Sequence, residues 1–237
     1  MDRQERHDIK HDKFVDQVNT YYDDVKRNSQ KVILGVVGVL ALIAIGVVIW
    51  GWGARQEKAA QTVLAEAIET FDAPVGDAAV ADPNRQGPAF KTDAERIAAA
   101  EPKLKDVVAE FSRSDAAQVA NLYLAQIEAT RGQTDTAIKL YEEFVKKNPD
   151  SLLAGGAQLS VYQLRMATDP KSVIADLEKA SMDEKSLLPK ETALSMLADA
   201  YEKSGDKAKA TDIYRRIATE FPQSSYATDA QQKMNRG

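Results

Sequence analysis

The feature that most constrains this chain is an apolar stretch from Val32 to Ile49, which carries no charge and no hydrogen-bonding side chain. A helix needs about 20 apolar residues to cross a hydrocarbon core roughly 30 Å thick. Trp50 and Trp52 extend the stretch to that length, and aromatic rings of this kind settle among lipid headgroups. A helix in a soluble core normally keeps a polar stripe, which is missing here. The stretch therefore predicts a transmembrane helix over residues 31–53.

A cleavable signal peptide is the main alternative for an apolar segment near an N-terminus. Its apolar region is about 7–15 residues long and follows a short basic segment. Here the apolar region is longer, and the residues before it contain as many acidic as basic side chains. The segment is therefore predicted to be an uncleaved anchor.

The basic residues on either side of the segment predict its orientation, because Lys and Arg favour the cytoplasmic side of a membrane. The N-terminal flank carries Lys13, Lys26, Arg27 and Lys31, whereas the other flank carries Arg55 and Lys58. This difference predicts a cytoplasmic N-terminus and places everything after residue 53 outside the cytoplasm. Residues 1–30 would form a cytoplasmic amphipathic arm, which either docks on a partner or is a solvated helix; His7 and His11 within it lack a third metal ligand.

Between the predicted span and residue 93 the pattern changes twice. Helical periodicity runs from Ala54 to about Phe71, and residues 73–92 then contain five prolines and glycines. This composition predicts a loop, and its length is unusual within a compact domain. Residues 54–92 are therefore predicted to be a connecting helix followed by a loop that is either mobile or a contact element.

The remaining segment, residues 93–237, contains a repeat. Small or β-branched apolar residues recur with spacings of 37, 36 and 37 residues, at Ala100, Ala137, Val173 and Ala210. Serines stand three residues before alanines at Ser114, Ser151 and Ser224, as expected for helix N-caps. The repeat predicts an all-α, tetratricopeptide-like solenoid of helix pairs, with Leu197 and Tyr214 in its core and the segment from Ser225 to Asn235 as a polar cap. A fragment starting near Asp93 is expected to fold cooperatively.

Few functions other than protein binding are supported by the residue types. The part after the span is mildly acidic, which disfavours nucleic acid, and the chain has no cysteine. Both histidines precede the span, and no phosphate-binding or dinucleotide-binding glycine motif occurs. We therefore expect no enzyme activity, cofactor, metal or small-molecule substrate.

A helix-pair solenoid offers a groove lined by the first helix of each pair. The residues predicted to line it are Leu122, Gln126, Gln158, Tyr162, Arg165, Ser195, Asp199 and Glu202. Tyr162 and Arg165 are the preferred contact residues, because Tyr and Arg dominate binding hot spots. An ordinary solvated surface is the alternative for each of these residues.

The whole arrangement resembles the ancillary subunit of the bacterial SecYEG translocon. The resemblance rests on the arm IKHDKFVDQVNTYYDDVKRN, the single span, and the repeats LYLAQIEATRGQTDTAIKLYEEFVKKNP and LSMLADAYEKSGDKAKATDIYRRIATEFP. It implies an inner-membrane protein with a periplasmic repeat domain, whose partners are translocon subunits and periplasmic chaperones. The alternative is a structural scaffold for another envelope complex, such as one for cell division, outer-membrane assembly or cytochrome maturation. The carboxylate-clamp subfamily of these repeats has Lys and Asn where this chain has Leu122 and Gln126, or Ser195 and Asp199, which disfavours binding of acidic chain termini.

Overall fold

The computed structural model describes residues 29–82 and 84–236, and these residues form helices joined by turns and one longer loop. The predicted N-terminal arm lies outside the described residues, apart from its last two. The helices are α1 (Ser29–Phe71), α2 (Asp77–Val80), α3 (Asp93–Glu110), α4 (Asp115–Thr130), α5 (Thr134–Lys147), α6 (Ala154–Thr168), α7 (Ile174–Met182), α8 (Lys190–Lys203), α9 (Lys207–Glu220) and α10 (Ser225–Arg236). A 3₁₀ turn, Pro170–Val173, precedes α7. The predicted all-α class is confirmed.

Helix α1 contains the apolar segment. It is the one helix among the described residues that is long and apolar enough to cross a membrane. All side chains from Val37 to Val48 are exposed, so this segment is apolar around its whole circumference. The chain divides into two compact units, residues 1–56 and residues 57–237. The apolar segment belongs to the first unit, and the repeats belong to the second.

The second unit consists of helix pairs packed in chain order. Helix α4 packs with α5 and α8 packs with α9, whereas α6 packs against the 3₁₀ turn before α7, and α10 packs against α9 at the end. The recurring small residues are buried in every pair, with exposed fractions of 0% at Ala100, Ala137 and Val173 and 2% at Ala210. A short side chain at these positions lets two helix backbones approach closely. The tetratricopeptide-like register is therefore confirmed, as is the burial of Leu197 and Tyr214.

One helix pair was not recognised from the repeat. Residues 57–71 of α1 form a common core with α3 and α4, in which Leu64, Phe71 and Leu104 are buried. Lys103 of α3 also binds the Glu66 carboxylate across this pair at 2.7 Å. The repeat unit therefore begins at Glu57, upstream of the expected start at residue 93. A long loop separates the two helices of this first pair, so the repeat spacing did not show that they form a pair.

That loop, residues 73–92, is closed at its base. The Gly76 N–H donates to the Phe90 carbonyl at 2.9 Å, and the Phe90 N–H donates to the Pro74 carbonyl at 3.1 Å. Gly76 has a φ of 121°, which a residue with a Cβ rarely adopts. The loop also contains the short helix α2, which the composition did not predict.

The serine caps are present at two of the three expected positions. Ser114 and Ser224 each accept a hydrogen bond from the backbone N–H three residues later, at 3.0 and 3.3 Å. Ser151 does not cap its helix, and this expectation was wrong. Its hydroxyl accepts from the Leu153 N–H at 3.2 Å, and α6 begins after Leu153 without a side-chain cap. Leu152 and Leu153 stay in the turn before α6, where the Ala154 N–H donates to the Ser151 carbonyl at 3.0 Å.

Charged contacts also fix adjacent pairs. Arg131, at the end of α4, reaches back to Glu101 on α3, which also binds Lys105 at 2.7 Å. Hydrogen bonds from Arg131 and Lys105 lower the pKa of Glu101 to about 2. The carboxylate is therefore ionised at neutral pH and holds α3 to the turn after α4.

Candidate protein-binding surface

The predicted groove residues lie on α4, α6 and α8, the first helices of three consecutive pairs. The structure places six of the eight in three separate clefts, and Arg165 and Glu202 line none of the three. Leu122 and Gln126 share one, Gln158 and Tyr162 share a second, and Ser195 and Asp199 share a third. The three clefts differ in what their walls can offer a ligand.

The cleft at α4 has the largest volume of the three, about 440 Å³, and its walls are more apolar than those of the α8 cleft. Leu122 and Gln126 line it together with Tyr123, Tyr141 and Ser160. Phe71 supports it from α1, because its ring packs edge-on against Tyr123 with the ring centroids 5.1 Å apart. A wall that contains the rings of Tyr123 and Tyr141 suits an apolar side chain of a bound peptide.

Asp72 is the one charged residue that lines this cleft. Burial raises the pKa of the Tyr123 hydroxyl, and the Asp72 carboxylate raises it further. Tyr123 therefore stays protonated and remains a hydrogen-bond donor at neutral pH. The cleft thus combines an apolar wall with a phenol and a single negative charge.

The cleft at α6, of about 250 Å³, is lined by Tyr162 but not by Arg165. Both of these preferred contact residues serve the fold. Tyr162 is only 8% exposed and lies in the core shared with α7 and α8. Arg165 binds the Asp176 carboxylate at 3.0 Å and the Ser172 carbonyl at 2.8 Å. The 3₁₀ turn before α7 brings both partners to Arg165, which the spacing of α6 alone could not reveal. Removing both side chains would therefore perturb the pairing of α6 with α7.

The cleft at α8, of about 240 Å³, is polar and is closed by the last helix. The Tyr214 hydroxyl lies 3.2 Å from Asp199 Oδ1 and 2.8 Å from Glu202 Oε2. Lys233 of α10 donates to Glu202 at 2.7 Å, and this bond, more than the one from Tyr214, lowers the pKa of Glu202. Asp199 and Glu202 thus hold α9 and α10 on α8, and Ser195 lies beside them.

Sequence reasoning missed the residues that complete the α4 cleft. Tyr123 is a chain neighbour of Leu122, and its aromatic character was a usable signal. Asp72 and Phe71 come from the end of α1, about fifty residues upstream, so periodicity could not bring them to this site. Recognition of the first helix pair would have predicted them.

Comparison with known families agrees with this geometry. Tetratricopeptide repeat families match residues 119–158, which cover most of α4, all of α5 and the start of α6, and residues 192–224, which cover most of α8 and all of α9. Comparison with curated protein sequences finds no match to the chain. Repeats of this kind are typical of non-enzymatic scaffolds that bind other proteins. The chain is therefore a protein that contains tetratricopeptide repeats and has the corresponding role of a protein-interaction adaptor.

Proposed function

We propose that this chain is a membrane-anchored adaptor of the bacterial inner membrane, which presents its repeats in the periplasm beside the SecYEG translocon. The observation that carries the proposal is the open α4 cleft. The cleft is built from a repeat of a kind that binds proteins. The unit that contains it follows an apolar segment long enough to cross a membrane. Its partners would be translocon subunits and periplasmic chaperones.

Exposure of the apolar helix supports the anchor. Leu42 and Val48 are 70% and 69% exposed, and their neighbours on the other sides of the helix are exposed as well. Each exposed side chain of this size forgoes about 1.5–3 kcal/mol of burial in an apolar phase. An apolar surface that surrounds a helix on all sides requires lipid or other apolar helices around it. The excess of Lys and Arg before the segment supports a cytoplasmic N-terminus.

The chemistry of the α4 cleft supports a peptide segment as its ligand. Leu122 and the two tyrosine rings offer apolar contact, and Gln126 and Ser160 offer hydrogen bonds to a main chain. Asp72 favours a basic residue beside the apolar anchor of that segment. Unfolded chains and flexible chaperone segments both present such pairs of apolar and basic residues. The choice of the translocon as the partner complex rests on the resemblance of the arm, the span and the two repeats.

Site-specific crosslinking in native membranes tests this proposal. A photoreactive residue replacing Gln126 lies in the α4 cleft, whereas one replacing the exposed Lys139 lies on α5, outside the lining of the cleft. We expect adducts with translocon subunits or periplasmic chaperones from position 126 and at most a few per cent as much from position 139.

The other outcomes of the crosslinking experiment distinguish the translocon adaptor from the scaffold of another envelope complex. Adducts from position 126 with components of another envelope complex would support the scaffold function instead. Equal adducts from both positions, or none from position 126, would contradict a binding role of this cleft. The full chain is used in every case, so the membrane context is preserved.

A further inference from the structure

One wall of the α4 cleft contains a glycine that its own helix does not need. Gly156 lies in the first turn of α6, where the backbone is helical, and it lines the cleft. Its φ is not in the positive range that favours glycine. Glycine destabilises a helix relative to alanine, because it loses more backbone freedom on folding. The reason for a glycine at this position therefore lies outside the helix.

Packing within the repeat unit does not supply that reason. A Cβ at Gly156 would meet no atom within 4 Å beyond its own helical turn, so an alanine would fit without a shift of any neighbour. The adjacent Gly155 is different, because a Cβ there would lie 2.7 Å from the Leu187 carbonyl oxygen. Gly155 thus lets the turn before α8 approach α6, whereas Gly156 leaves open space on the side of the cleft.

The same wall carries a leucine that makes no use of the fold. Leu152 is 101% exposed, the adjacent Leu153 is 45% exposed, and both line the α4 cleft. Packing within the unit therefore does not account for a leucine at position 152. Two adjacent exposed leucines beside an apolar cleft extend its apolar surface, as is typical of a site that contacts a ligand.

The opposite wall, on α4, offers a group that suits a peptide main chain. Gln126 is exposed, and its side-chain amide has no hydrogen-bond partner among the residues that the structure describes. Leu122 and Tyr123 lie one turn earlier on the same face of α4. A glutamine amide donates to a carbonyl and accepts from an N–H, which are the two groups of a main chain.

The open space at Gly156 favours an extended ligand over a helical one. A main chain approaches a helix closely where no Cβ projects, which is a common reason for glycine at a ligand contact. An extended chain exposes its N–H and C=O groups along both edges. A helix pairs these groups internally, and its Cα atoms, about 2.3 Å from the axis, are enclosed by side chains that reach about 5–6 Å.

We propose that the α4 cleft binds an extended peptide segment, whose main chain lies against Gly156 while an apolar side chain packs on Leu152. A basic side chain of the segment lies beside Asp72, which forms no salt bridge within the described part of the chain. This inference rests on the peptide-binding role proposed for the cleft, and it names the conformation and the side chains that the cleft selects. Chains that have not yet folded present such segments, whereas a helix does not.

Peptide binding to the full chain in phosphatidylcholine nanodiscs tests this inference. The probe is a short fluorescein-labelled peptide with one leucine next to one arginine among serines and threonines. Fluorescence anisotropy gives its Kd, and empty nanodiscs correct for binding to lipid. The site variants are Gly156→Leu and Leu152→Ala. The matched controls are Gln163→Leu, at an exposed position of α6 outside the lining of the cleft, and Met182→Ala, at a side chain that is 74% exposed.

We expect Gly156→Leu to weaken peptide binding at least fivefold, because the new side chain fills the space for the main chain. The same variant should unfold at an equal or higher urea concentration, since leucine favours a helix more than glycine does. Leu152→Ala should weaken binding at least threefold, and each control should change it less than twofold. A peptide with glutamate in place of arginine, or one stapled into a helix, should bind at least threefold more weakly.

Four results would overturn the inference. If the peptide binds but both site variants behave like their controls, the inference fails, whereas the adaptor function is still decided by crosslinking at position 126. A lower urea midpoint for Gly156→Leu would show that this glycine serves the fold. Tighter binding of the stapled peptide would refute the extended conformation. If none of the peptides binds, both this inference and the peptide-binding role of the cleft are refuted.

Discussion

Replacing Leu197 with alanine is expected to lower the free energy of unfolding of the repeat unit by about 2–5 kcal/mol, the range for a buried large-to-small change. Leu197 is 1% exposed and lies in the core that α6, α7, α8 and α9 share. The loss combines the lost burial of the side chain with the cavity that remains among rigidly paired helices. Urea denaturation of residues 57–237, followed by circular dichroism, measures it.

A matched control comes from the same substitution at an exposed leucine. Leu152→Ala removes the same atoms from a side chain that is 101% exposed, so the free energy of unfolding in solution should change by less than about 0.5 kcal/mol. If Leu197→Ala cost no more than Leu152→Ala, the repeat register described here would be wrong.

A fragment that starts at Asp93 is expected to be less stable than one that starts at Glu57 by several kcal/mol. The shorter fragment exposes the face of α3 that packs on α1, including Ile97 and Leu104. Burial of Leu64 and Phe71 alone contributes about 1.5–3 kcal/mol each, so the loss should be on the order of 3–6 kcal/mol or more. The shorter fragment also lacks the Glu57 carboxylate that binds the start of α4.

Denaturant midpoints of the two fragments, measured under the same conditions, check this expectation. The fragment from Glu57 should unfold in one cooperative transition, because each helix pair buries the apolar face of its neighbour. Equal midpoints and equal slopes for the two fragments would show that residues 57–71 are not part of the repeat core.

The fold could be predicted from the sequence wherever a repeat imposed a fixed spacing. Ala100, Ala137, Val173 and Ala210 each mark a close helix contact, and their spacing is independent of the other residues in each pair. The first helix pair was not predicted, because a twenty-residue loop separates its two helices and interrupts the repeat spacing. The helix cap predicted at Ser151 was wrong, because a serine three residues before an alanine can also form a local turn.

The site was harder to predict than the fold. Periodicity assigns a residue to one face of one helix, but the neighbouring element decides what that face contacts. For Arg165 the deciding elements are the 3₁₀ turn, which supplies Ser172, and the start of α7, which supplies Asp176. For Leu122 it is the end of α1, which supplies Phe71 and Asp72 and turns a helix face into a cleft. The groove as a binding site remains a prediction, and the α4 cleft is its best-supported part.

The most direct test of the account is the location of the two chain ends relative to the membrane. A reporter enzyme that is active only outside the cytoplasm should be active when fused after Gly237 and silent when fused after Arg27. This result is predicted by the apolar segment in α1 and by the basic residues before it. The reverse pattern, or a silent reporter at both positions, would contradict a repeat unit that is anchored at the membrane and works in the periplasm.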